Sequence, residues 1–150
     1  MALNTNLAKA VAKAVVDAAV DLMDGGTAGN PTLKILAGAQ PASPDTGSGT
    51  TLATIDLGTA AVFGAATTGT GGDAGYITAT ASSILPKTDT SATASGTAAW
   101  FRAFNKDATA IISGSVGTNS TTADLVLDNT SITAGQEVKL NSWKVRFPYK

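Results

Sequence analysis

Residues 98 to 117 read AAWFRAFNKDATAIISGSVG and hold three of the chain's eight aromatic residues within five positions. Side chains alternate across a strand, so Trp100, Arg102 and Phe104 point one way from this segment while Ala99, Phe101 and Ala103 point the other. The polar turn NKDAT follows and then AIISGSV, which together make a hairpin candidate. A binding platform would need several exposed, coplanar rings. A chain of 150 residues with so few aromatics needs them inside instead. The segment therefore predicts the core of a β-rich fold, with Arg102 reaching past Trp100 to the rim.

On either side of this hairpin the chain is cut into short β-branched runs by turn residues. TLKIL (32 to 36), TLATIDL (51 to 57), YITATA (76 to 81), ADLVLDN (123 to 129) and QEVKLNSWKVRF (136 to 147) read as strands. The loop AGAQPASPDTGSG separates the first two. The only helical signal lies at the front, where Leu7, Val11, Val15, Ala19 and Leu22 recur at helical spacing. It predicts a helix over about 6 to 23, capped by Thr5 or Asn6 and ended by Gly25 and Gly26. Many short strands behind one helix predict a mainly β protein: an antiparallel β-sandwich, jelly-roll-like, with one N-terminal α-helix. A single domain over 1 to 150 is expected, with the sandwich over about 32 to 147.

Charge is sparse, at 14% of residues, and nearly balanced at −1, so no global field draws in nucleic acid or an anionic membrane. Its distribution is uneven. Lys139, Lys144, Arg146 and Lys150 place +4 on the last twelve residues, leaving six bases against eleven acids on the rest. Such a strip is either a solvated strand edge or a contact for an acidic partner. Along the helix, Lys9 and Lys13 precede Asp17 and Asp21, which opposes the helix dipole. The same charges interrupt the apolar run, so this segment reads neither as a signal peptide nor as a membrane span.

Catalytic chemistry finds few residues to use. The chain has no histidine and no cysteine, the commonest acid–base and nucleophilic groups. Asp124 and Asp128 would sit about 13 Å apart on a straight strand, too far for either glycosidase geometry. GTGGDAG (69 to 75) lacks the third glycine of a dinucleotide fingerprint and leads into β-like sequence, so it reads as a loop or sharp turn. NST at 119 and NTS at 129 read as turn residues. No enzymatic activity, catalytic residue, cofactor or metal site is expected.

Three segments, TLKILAGAQPASPD, AAWFRAFNKDATAIISGSVG and ADLVLDNTSITAGQEVKLNSWKV, stand in that order behind a short alanine-rich helix. In this arrangement the chain resembles small virion proteins of tailed bacteriophages, of the capsid decoration or cement type, over roughly half its length. The resemblance implies a noncatalytic structural protein that is made in the host cytoplasm and seated on the capsid surface of the virion. It would clamp adjacent subunits of the major capsid protein, as a homo-oligomer (dimer or trimer). On that reading Lys9, Lys13, Asp17 and Asp21 are expected at contacts between copies, and Lys144, Arg146 and Tyr149 against an acidic capsid surface. A tail, connector or fibre component shares this composition, and a glycan-binding β-sandwich is the alternative of a different class.

Overall fold

The structure is a computed structural model that describes residues 7–43, 45–47, 49–120 and 122–149. Among the described residues one α-helix, α1 (Lys9–Asp21), precedes eleven strands. The first six are β1 (Thr32–Ala37), β2 (Thr50–Asp56), β3 (Thr67–Thr68), β4 (Tyr76–Thr80), β5 (Lys87–Asp89) and β6 (Gly96–Thr97). Then come β7 (Trp100–Phe104), β8 (Ala110–Gly117), β9 (Leu125–Leu127), β10 (Ser131–Ile132) and β11 (Val138–Pro148). The mainly β architecture with one N-terminal helix is the one expected from the sequence.

Nine strands form one sheet in the order β2-β1-β7-β8-β9-β11-β4-β3, with β5 also paired to β11. The sheet folds over on itself, because β11 is eleven residues long and changes partners along its length. Its first part pairs β5, its middle β9 and its last five residues β4. The free edge of β2 is closed in turn by the segment around β5. Asp89 accepts the Thr54 amide at 2.9 Å, and the Leu52 carbonyl accepts the Thr93 amide at 2.7 Å. The pairing of β8 with β9 is parallel, the one departure from the expected antiparallel pattern.

The opening segment forms the hairpin β7–β8, and its turn is built by Asn105, whose side-chain oxygen accepts the amides of Asp107 and Thr109. Both faces of β7 are covered. Phe101 enters the core edge-to-face with Trp143 of β11, their centroids 5.4 Å apart, while Trp143 meets Phe63 at 4.6 Å. Trp100 faces away from that core and is nonetheless fully buried. The segment around Thr46 and Gly49 covers it: at Gly49 (φ +84°) a Cβ would stand 3.2 Å from the indole and 2.6 Å from the Ala37 carbonyl. Arg102 does not reach the rim as expected. It is 7% exposed, stacks 5.0 Å from the Trp100 ring and donates to the Thr46 carbonyl of the covering loop.

The helix is placed as expected but turned. Its buried row is Ala12, Val16 and Val20, continued by Met23 in a short 3-10 turn, while Val11, Val15 and Leu22 remain 49%, 42% and 57% exposed. Alanine and valine surround most of this helix, so helical periodicity fits two apolar rows about one residue apart, and tertiary contacts choose between them. Asp17 and Asp24 make the choice by accepting the amides of Ala66 at 2.6 Å and Val62 at 3.1 Å. The expected cap at Thr5 or Asn6 lies outside the described residues. Helical residues end at Asp24, and Gly26 takes the left-handed conformation (φ +94°) against Asp107, which accepts the amides of Thr27 and Ala28.

Candidate interaction surface

Strand β11 presents Lys144 and Arg146 on its outer face, each opposite a threonine of β4, Thr80 and Thr78. Two acids from distant loops fold onto these cations. Asp73 ends the short 3-10 turn Gly71–Asp73 within GTGGDAG, and receives Lys144 at 3.0 Å and Arg146 at 3.4 Å. The fold-back needs Gly69, where a Cβ would lie 2.2 Å from the Asp73 carbonyl oxygen. Asp124, at the entry to β9, takes the other side of Arg146 at 3.4 Å. Its second oxygen accepts the Ser115 amide and hydroxyl at 3.2 and 2.9 Å.

This arrangement changes the meaning of the basic strip. Its two central cations are paired with Asp73 and Asp124 of the same chain, so this part of the strip is compensated within the fold. The exposure of the groups is partial, 23–30% for the two cations and 18% for Asp73. A cleft of about 280 Å3 opens beside them, lined by Thr70, Gly72, Asp73, Ser120, Lys144 and Arg146. A second, of about 220 Å3, lies between β8 and β11.

The remaining expected contact residues fall elsewhere. Tyr149 lies under α1, its ring 5.3 Å from the Lys9 ammonium, so helix start and sheet end are joined there. Lys13 pairs with Asp17 one turn on, at 2.5 Å, and Asp21 is exposed. The seven residues therefore fall into the pair Lys144 and Arg146, the junction of Lys9 with Tyr149, and the ion pair Lys13–Asp17, with Asp21 exposed, so Lys9 and Tyr149 join across the two expected contact sets. Asp73 and Asp124 were missed because acids in glycine- and threonine-rich loops carry no local signal of a partner. The opposite charge excess of the two parts of the chain was the available hint.

The chemistry of the cluster is that of a structural ion-pair network. The hydrogen bond from Lys144 holds the Asp73 carboxyl below its ordinary value of 3.8; burial opposes this, and the charges of Lys144 and Arg146 reinforce it. A carboxyl held ionised in this way is a poor general acid. Among the described residues, no group of three or more acidic side chains gathers as a metal site, and no helix is long and apolar enough to cross a membrane. Asp128 binds Asn141 and not Asp124.

Linkage gives a pH prediction. Because the folded value of Asp73 is depressed, its contribution is fully present above the unfolded value and is lost as pH falls through the folded one. Denaturation midpoints of the native chain and of Asp73→Asn should differ above the ordinary carboxyl value of 3.8 and converge as the pH falls through the lower folded value. A gap that is constant across this range would show that the ion pairs do not stabilise the fold.

No family model, no curated protein and no solved structure matches this chain.

Proposed function

We propose that this protein is a noncatalytic structural component of a bacteriophage virion that docks on the capsid surface and clamps adjacent capsid subunits. The observation that carries the reading is the exposed row Val11, Val15 and Leu22 on a helix already seated on the core by the adjacent row Ala12, Val16 and Val20. Three large apolar side chains in line across eleven residue-to-residue steps extend about 16 Å, a surface suited to burial against another chain. The compact β-rich support, the scarcity of charge and the order of the three resembling segments agree with a part that binds by area, not by chemistry.

Copy number tests the reading. In purified particles the chain should be present at a ratio to the major capsid protein set by capsid symmetry, and particles lacking its gene should lose density on the shell. A ratio near that of tail proteins, with short or missing tails, would assign the chain to the tail instead.

A glycan platform on the aromatic cluster would need exposed rings, and both tryptophans are 0% exposed. Acrylamide should therefore quench the tryptophan fluorescence of the native protein several-fold less than that of the urea-unfolded chain. Equal quenching in the two states would revive the platform.

A further inference from the structure

Between β8 and β11 the sheet holds a vacant lane. Strand β9 separates the two, pairing Val116 and Gly117 on one side and residues 140 to 143 on the other. At that level β8 and β11 stand two strand spacings apart, about 9.6 Å. Yet β9 begins only at Leu125, after the chain has turned in from the side, while β8 runs back to Ala110 and β11 runs on to Pro148. For these lengths β8 is paired only to β7 and β11 only to β4. Two open strand edges thus face each other, and the cleft of about 220 Å3 lies between them, lined on those edges by Ile112, Ser113, Gly114, Lys144, Val145 and Arg146.

Antiparallel pairing alternates, so the direction of each main-chain group follows from the bonds that bound the lane. The Trp143 carbonyl is turned to β4, where it accepts the Ala81 amide; Tyr149 donates to Gly75 on the same side. Residue 145 faces β4 with them, and the amide and carbonyl of Arg146 face the lane. On β8 the Val116 amide donates to Ala99 beside β7. The amide and carbonyl of Ser113 therefore face the lane too. At its closed end the lane is plugged by Asp124, whose carbonyl accepts the Lys144 amide and whose carboxylate accepts that of Ser115. Inward, the lane looks onto apolar groups. Phe101 lines the floor there, where Gly114 lacks the Cβ that would stand 2.8 Å from its ring, and Ile112 and Val145 flank it. Outward, Ser113 and the ion-paired Lys144 and Arg146 form a polar rim.

We infer that this lane accepts an extended segment of about four residues from the capsid subunit on which the protein docks, completing the sheet between β8 and β11. The partner's identity rests on the function proposed above; the lane itself does not. A guest strand satisfies the main-chain groups of both edges at once, which an addition at an ordinary sheet edge cannot do. Its inward side chain is apolar and sits over Phe101, Ile112 and Val145. Its outward side chains are short hydroxyls beside a rim whose charges are already balanced.

The test uses the full chain with a blocked peptide of alternating threonine and valine, seven residues long, and reads amide hydrogen exchange by NMR. Saturating peptide should slow the Ser113 and Arg146 amides by about tenfold or more, leaving those of Gly114 and Val145, already paired, little changed. Alternate residues of a guest bond opposite edges, so N-methylation of either alternate set should abolish protection at both residues. Protection lost with only one methylated set would mean simple edge addition and overturns the lane. No protection at Ser113 and Arg146 overturns it as well. The same peptide should then displace the protein from particles. Protection without displacement overturns the assignment to the capsid segment, while the copy-number measurement judges the shell function separately.

Discussion

Replacing Trp143 with alanine should destabilise the protein by about 3–5 kcal/mol, the cost of emptying a large aromatic site in a packed core. Trp143 is fully buried and lies where β11 passes from β9 to β4. Its indole touches Phe63 from the segment after β2 and Phe101 from β7, so one side chain ties three distant parts of the chain. The indole nitrogen has no hydrogen-bond partner. Trp143→Phe should therefore cost clearly less, because it keeps an aromatic ring and gives up no bond. Against a total stability of about 5–15 kcal/mol for a domain of this kind, the alanine variant should lose a large share of its reserve and unfold at clearly lower denaturant. Urea denaturation followed by the fluorescence of Trp100 measures both variants. A cost under about 1 kcal/mol for Trp143→Ala would place it among ordinary surface changes and show that the halves of the sheet are held together elsewhere.

The core was legible because strand alternation and aromatic scarcity point the same way. Phe101 and Ala103 face inward as the period of two requires, and the long strands carry their expected bounds to within a few residues. Strands β3, β5, β6 and β10 were not legible. Each has only two or three residues, and their pairing is fixed by distant partners, not by local pattern. The burial of Trp100 was expected, but its cover was not: a loop of glycine, proline and serine shows no apolar signal, and it works by close approach at Gly49 and a carbonyl at Thr46. The candidate surface was legible only in parts. Lys144 and Arg146 stand out as a basic run, whereas their acids lie more than twenty residues away in sequence. The helix shows the limit most clearly, because two apolar rows satisfied one period and the amides of Ala66 and Val62 decided between them.

That choice sets the largest expected effect on docking. Val11→Asp combined with Val15→Asp should leave the folded chain within about 0.5 kcal/mol per site, since both positions are about half exposed and valine and aspartate have similar helix propensity. Docking should respond very differently. Burying the exposed half of each valine contributes on the order of 1 kcal/mol, and a carboxylate put in its place must also be desolvated without a partner. Together these terms predict a loss of at least about a hundredfold in affinity for the shell, read as particle occupancy at limiting protein. The contrast with the lysines is the informative part. Lys13 already pairs with Asp17 on the surface, an interaction worth only about 0.3–0.5 kcal/mol, so Lys13→Ala should change neither stability nor occupancy by much. If Lys13→Ala emptied the particles while the double valine variant still filled them, the contact would run through the charged row of the helix and not through the apolar row that the fold leaves uncovered.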